Sequence, residues 1–169
     1  TSRDLYEVQA PHSLKATDIQ TYPYPGFPTD LQAPFAAVMT QANGNSSIYE
    51  TMYDGRLAYI LSRNKMGARI DVSGSGRTAM IHGPTPLHGE EVCALDIRSG
   101  AAMILAGLGA EGVTRISNVI YVDRGYEDIE TKLKKLGAVT SRVAESEHEY
   151  PTTECREPLE WGTIPLPSN

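Results

Sequence analysis

The stretch Thr29-Asp30-Leu31-Gln32-Ala33 has a counterpart later in the chain, Leu95-Asp96-Ile97-Arg98-Ser99. In both stretches an Asp, a potential helix N-cap, stands directly before an apolar segment with helical spacing. Two further pairs of segments correspond in the same order: Met52-Tyr53 and Arg56 with Ile120-Tyr121 and Arg124, and Lys65-Met66-Gly67-Ala68 with Lys135-Leu136-Gly137-Ala138. Matches that keep one order and a nearly constant separation indicate a duplicated structural unit.

Each copy of the repeat predicts a β-α-β-α-β-β unit. Strands are expected where β-branched and aromatic residues concentrate, and helices where apolar residues recur at helical spacing before a Gly. The predicted strands are 15–21, 46–53, 70–72, 78–82, 91–95, 113–122 and 139–143, and the predicted helices are 31–43, 56–66, 97–110 and 126–136. The fold class is therefore α/β, with a first unit at 15–85, a second unit at 86–144 and a proline-rich tail at 145–169.

Composition restricts the classes of function. The 169 residues carry a net charge of −6 and no cluster of Lys and Arg, so nucleic acid is excluded as the expected partner. The apolar runs are far too short to span a bilayer, so no membrane partner is expected. The two cysteines form no CxxC pair, so we expect a cytoplasmic protein without a cysteine metal motif.

Asp30 follows a stiff loop at 22–30, in which prolines and a glycine exclude the interior of a strand or helix. Such a loop holds Asp30 at the start of the next helix. One interpretation is that the side chain is only a helix N-cap. The other is that the carboxylate lies beside a bound substrate and accepts a hydroxyl proton. Local sequence leaves both open.

Arg56 and Arg124 occupy equivalent positions in the repeat, each predicted directly after a strand and at the start of a helix. Arg98 falls in the first turn of the helix after Asp96. A cation there opposes the helix dipole, which is usually compensated by an anion held between the guanidinium and free backbone N–H groups. The pattern indicates an anion site, and surface ion pairs are the alternative.

These segments together resemble the enolpyruvyl transferase family, and within it the UDP-N-acetylglucosamine 1-carboxyvinyltransferases. The matching stretches are 24–33, 62–68, 94–102 and 123–130. The resemblance implies two similar domains, each an inside-out α/β barrel of three β-α-β-α-β-β units. This chain would supply two units of one domain, and the N-terminal catalytic domain, with its mobile-loop cysteine, would lie outside it.

The resemblance also implies an activity. The enolpyruvyl group of phosphoenolpyruvate is transferred to the 3′-hydroxyl of UDP-N-acetylglucosamine with release of phosphate, the first committed step of peptidoglycan synthesis. No metal and no organic cofactor takes part. The partners expected for this chain are the two substrates and the N-terminal domain. The isolated chain is therefore expected to have no turnover.

Site residues follow from the same resemblance. Asp30 corresponds to the carboxylate that accepts the 3′-hydroxyl proton, Arg124 to a contact of the phosphate of phosphoenolpyruvate, and Arg98 to a contact of its carboxylate. The expected substrate-binding positions are Asp30, Met52, Tyr53, Arg56, Asp96, Arg98 and Arg124. Tyr53-Asp54-Gly55-Arg56 departs from the family's common Glu-Asn-Arg pattern. Two alternatives stay open: a carboxyvinyl transferase with another hydroxyl acceptor, similar to 5-enolpyruvylshikimate-3-phosphate synthase, and a non-catalytic binding module.

Overall fold

The first repeat forms a four-stranded sheet in a computed structural model that describes residues 7–9 and 11–143. Its strands are β1 (Ile19–Gln20), β2 (Gly44–Tyr49), β3 (Ile70–Val72) and β4 (Thr78–Gly83). Their order is β1-β2-β4-β3, with β1 parallel to β2 and the other pairs antiparallel. A 3-10 turn (Thr29–Leu31) leads into α1 (Gln32–Met39), and α2 (Ile60–Lys65) connects β2 to β3. The predicted order of elements in this repeat is confirmed.

The second repeat begins in the same way but ends differently. Its elements are β5 (Glu91–Cys93), α3 (Ile97–Leu108), β6 (Arg115–Ser117), α4 (Ile120–Asp123) and α5 (Ile129–Lys135), with β5 and β6 parallel. The prediction of a strand at 139–143 is wrong, because these residues are described and form none. Val139 is fully exposed, so its side chain has no surface against which a strand could pack. The predicted tail at 145–169 lies outside the described residues.

Other predicted boundaries are wrong as well. The strand predicted at 113–122 stops at Ser117, because Asn118 takes a positive φ of 55°, and α4 follows. The helices predicted to start at Arg56 and Tyr126 begin only at Ile60 and Ile129.

One hydrophobic core joins the two repeats. Helices α1 and α3 contact each other and bury small residues, Ala33 and Ala36 on α1 and Ala102 and Ala106 on α3. Small side chains at a helix contact allow the axes to approach closely. The same cluster contains Ile48 of β2 with buried side chains from both repeats. The packing places the residues before α1 next to the start of α3. Among the described residues, no helix is long and apolar enough to cross a bilayer.

Candidate active site

The proline-rich loop is held by its own backbone and by one aromatic contact. Gly26 N–H donates to the Pro23 carbonyl at 2.8 Å, and a Cβ on Gly26 would lie 2.4 Å from the Cβ of Tyr22, so a side chain is excluded. The ring of Phe27 meets that of Phe35 on α1 edge-to-face, with centroids 5.5 Å apart. The loop therefore delivers Asp30 in a defined position.

Asp30 is not a helix cap. It lies inside the 3-10 turn, and within the described chain no side chain caps either this turn or α1. Its carboxylate is 73% exposed, and Oδ1 accepts from Arg56 Nη1 at 3.1 Å and from Arg98 Nη1 at 3.3 Å. The two arginine side chains are only 21% and 20% exposed. One carboxylate oxygen thus joins guanidinium groups from both repeats at the surface.

Asp96 holds Arg98 from the opposite side. It is the N-cap of α3, as its position predicted, and its Oδ1 accepts from the backbone N–H groups of Arg98 and Ser99 at 2.9 and 2.8 Å. Its Oδ2 accepts from Arg98 Nη2. The cation in the first turn of α3 is therefore compensated by two carboxylates, those of Asp96 and Asp30.

The prediction that Arg56 and Arg124 lie at helix starts is wrong. Neither begins a helix: Arg56 lies in the turn at 54–59, and Arg124 is the C-cap of α4, where a cation suits the helix dipole. Their equivalence is nevertheless visible. Arg56 Cζ lies 4.4 Å from the centroid of the Tyr53 ring, and Arg124 Cζ lies 5.4 Å from that of Tyr121. Both guanidinium groups are thus placed by stacking on a tyrosine three positions earlier.

Arg124 lies near the other residues without joining them. Gly125 packs so tightly on α3 that a Cβ there would be 2.0 Å from Ile97 Cδ1. Within the described residues, no ion pair joins Arg124 to Asp30 or to another carboxylate. The structure therefore brings together Asp30, Arg56, Asp96 and Arg98, and leaves Arg124 beside them.

The departure from the family pattern has a local explanation. Gly55 has a φ of 73°, in the left-handed region that favours glycine. Asp54 is exposed and pairs with Arg77 at 2.5 Å. Its carboxylate is therefore directed to the turn between β3 and β4 and not to Arg56. Both residues nevertheless border the site, because a surface depression between the repeats is lined by Asp54, Gly55, Arg56, Ala58, Tyr59, Leu95, Asp96, Arg98 and Ser99.

Glu50, which follows β2 and is 1% exposed, is a residue near the site that the sequence did not predict. Burial raises the pKa of its carboxyl, but hydrogen bonds from Gln32, Thr29, the Met52 amide and Thr21 outweigh this and hold the pKa below its ordinary value. The backbone N–H groups of Met52 and Tyr53, two predicted binding residues, donate to it at 2.7 and 3.2 Å. An acid inside the strand predicted at 46–53 was the available signal, but its partners lie up to 29 positions away.

An exposed carboxylate can accept a proton, and the two guanidinium groups beside it can bind an anion at the same place. Among residues 7–9 and 11–143, no group of three or more His, Cys, Asp and Glu side chains could hold a metal ion. The site lies at the junction of two similar α/β repeats, where the Asp30 carboxylate meets guanidinium groups from both. Residues 1–133 match the model of the family described as EPSP synthase (3-phosphoshikimate 1-carboxyvinyltransferase), so the chain belongs to this family.

Individual relatives agree with this assignment. The chain is 45% identical over 156 residues to UDP-N-acetylglucosamine 1-carboxyvinyltransferase 1 of Halalkalibacterium halodurans, covering 92% of this chain and 35% of that protein. It is 47% identical over 133 residues to the UDP-N-acetylglucosamine 1-carboxyvinyltransferase of Synechocystis sp., covering 79% of this chain and 30% of that protein. It therefore spans about a third of the length of these relatives.

A solved structure extends the likeness to the fold. The enolpyruvyl transferase NikO from Streptomyces tendae matches with a TM-score of 0.69 and 29% identity, over 75% of this chain and 29% of that chain. The family resemblance and the predicted fold class are confirmed.

Proposed function

We propose that this chain forms part of a UDP-N-acetylglucosamine 1-carboxyvinyltransferase. The enzyme would transfer the enolpyruvyl group of phosphoenolpyruvate to the 3′-hydroxyl of UDP-N-acetylglucosamine and release phosphate. The observation that carries the proposal is the contact of one Asp30 oxygen with both Arg56 and Arg98 at the edge of the depression. The names of the similar proteins support the choice of acceptor.

Asp30 is the proton acceptor in this proposal. Its carboxylate is exposed, while the arginines that compensate its charge are largely buried and fixed. A substrate hydroxyl that hydrogen-bonds to it loses its proton to the carboxylate as the sugar oxygen forms its bond to the enolpyruvyl carbon. As the sugar oxygen adds, the electron pair of the C=C bond moves to the methylene carbon, which takes up a proton. Loss of a proton from the methylene carbon restores the C=C bond as the bond between the enolpyruvyl carbon and the phosphate oxygen breaks, and phosphate leaves.

The arginines bind the anionic donor. Arg98 holds the carboxylate of phosphoenolpyruvate and Arg124 its phosphate, because guanidinium groups bind both in bidentate fashion. Arg56 and Asp96 position these groups, and Met52 and Tyr53 line the pocket for the UDP-sugar. The net charge of the chain is −6, so its overall electrostatic field repels an anionic substrate. The attraction of the nearby arginines must outweigh this repulsion.

The remaining proposals concern organisation and location. Residues 15–85 and 86–144 are two units of one domain, and an N-terminal domain supplies the rest of the active site. The protein acts in the cytoplasm, at the first committed step of peptidoglycan synthesis. No metal or organic cofactor is required.

Phosphate release by the complete gene product tests the proposal. With phosphoenolpyruvate, UDP-N-acetylglucosamine should support release, and shikimate 3-phosphate should not. Asp30→Asn should lower kcat by about 10²–10⁴-fold, the usual range for a general base. Asp71→Asn, which removes an exposed carboxylate paired with His82, is the matched control and should leave kcat unchanged. Release with shikimate 3-phosphate alone would identify the other acceptor, and neither release nor binding would favour a binding module.

A further inference from the structure

Glu50 connects the two segments that carry Asp30 and Arg56, although it does not line the depression. Its Oε2 accepts from the Thr29 hydroxyl at 2.8 Å and from Gln32 Nε2 at 3.0 Å. Thr29 immediately precedes Asp30 in the 3-10 turn, and Gln32 begins α1. This oxygen therefore holds the turn that presents Asp30.

The other oxygen holds the turn that presents Arg56. Oε1 accepts from the backbone N–H groups of Met52 at 2.7 Å and Tyr53 at 3.2 Å, and from the Thr21 hydroxyl at 2.9 Å. The Tyr53 ring in turn carries the Arg56 guanidinium. The two sides of the Asp30–Arg56 ion pair thus rest on the two oxygens of one buried carboxylate.

We propose that Glu50 is a positioning residue that sets the placement of Asp30 relative to Arg56 and so aligns the proton acceptor with the anion-binding group. The effect on turnover rests on the proposed function, whereas the effect on geometry does not. Glu50 does not line the depression, and its side chain acts through its five hydrogen bonds.

A carboxylate is specifically required, because its neighbours are donors on both sides. The Gln32 amide oxygen already accepts from Tyr59 Oη at 2.7 Å, so only the NH₂ group of Gln32 can face Glu50. A glutamine at position 50 would turn its own NH₂ either toward that group or toward the two backbone N–H groups. In either orientation at least one buried donor loses its acceptor.

Geometry is the first test. In a crystal structure of the complete gene product carrying Glu50→Gln, the Asp30 Oδ1–Arg56 Nη1 distance, 3.1 Å in the wild type, should exceed the ion-pair limit of roughly 4 Å. An unchanged distance overturns the inference, whichever reaction the protein catalyses. Absence of phosphate release from the wild type overturns only the proposed function, so the two failures are distinguishable.

Kinetics is the second test. Glu50→Gln should lower kcat by about 10- to 100-fold, as expected of a misplaced catalytic group. In an Asp30→Asn background, the same substitution should have little further effect, because both changes act through one group. If Glu50→Gln lowered kcat by the full 10- to 100-fold in that background as well, the loss would reflect general structural damage and would overturn the inference.

If Glu50→Gln does not fold, two variants at Thr29, which makes only one hydrogen bond to Glu50, can be used for the same test. Thr29→Val removes one donor to Oε2 and keeps the shape of the side chain, while Thr29→Ser keeps the hydroxyl. Thr29→Val should lengthen the Asp30–Arg56 separation and lower kcat, and Thr29→Ser should restore both. Equal behaviour of the two variants would overturn the inference.

Discussion

The carboxylate of Asp30 and the guanidinium of Arg98 lie 68 positions apart in the chain and meet at 3.3 Å. Asp30 belongs to the turn before α1, and Arg98 to the first turn of α3. They meet because α1 and α3 pack side by side in one core built by both repeats. The site is therefore a product of the duplication, since neither repeat contains both residues.

Arg98 should be sensitive to a change that keeps its charge. Its Nη1 and Nη2 reach different carboxylates, Asp30 and Asp96, and a lysine cannot bridge both. Arg98→Lys should raise KM for phosphoenolpyruvate about tenfold or more, the loss of one charge-assisted hydrogen bond of roughly 1.5–3 kcal/mol. Steady-state kinetics checks this. Arg115→Lys, at a half-exposed pair with Glu91, is the control, and equal effects of the two variants would contradict the prediction.

Gly125 should control the position of Arg124. A methyl group at this position would meet Ile97 Cδ1, so Gly125→Ala should push the Arg124 turn away from α3 and destabilise the fold by about 1–3 kcal/mol. The affinity for phosphoenolpyruvate should fall with it. Ile97→Val deletes the opposing atom, so the double variant should recover most of both losses. Gly74→Ala, which meets nothing within 4 Å, is the neutral comparison. Chemical denaturation and ligand titration give the two readouts.

Arg63 should be replaceable with a gain in stability. It is fully buried, Nη2 donates to the Ala102 carbonyl at 3.0 Å, and Nε and Nη1 have no partner among the described residues. Burial lowers the pKa of its guanidinium to about 10. Arg63→Met fills a similar volume without the buried charge and should raise the free energy of unfolding by about 1–4 kcal/mol. Urea denaturation measures this, with the exposed Arg69→Met expected to stay within about 0.5 kcal/mol. A lower midpoint for Arg63→Met would contradict it.

Glu50 should make stability depend on pH in the acid range. Its folded-state pKa lies below the ordinary value of 4.5, so over that window the unfolded chain binds the proton more readily than the folded one. Its contribution is present above pH 4.5 and is lost as pH falls through the lowered pKa. Glu50→Gln should therefore show a shallower loss of unfolding free energy on acidification. Denaturation curves at several pH values decide this, and parallel profiles for the two proteins would refute it.

Local patterns sufficed for much of the fold. The order of elements in the first repeat and the N-cap at Asp96 followed from propensity, apolar spacing and capping chemistry, which depend on residues within a few positions. The second repeat was harder, because the left-handed Asn118 ended a strand that composition favoured. Residues 139–143 likewise had β-branched composition without a neighbouring strand.

The charged residues of the site were visible in the chain, but their partners were not. The sequence allowed Asp30 to be an N-cap, whereas in the structure its carboxylate pairs with Arg56 and Arg98. Arg56 was predicted at the start of a helix, but α2 begins four positions later. Glu50 gave little signal, since its role depends on donors that only the folded chain gathers around it. Residue types and caps are local properties of the chain. Ion-pair geometry and buried hydrogen bonding depend on distant segments that meet in one core, and only the tertiary structure determines them.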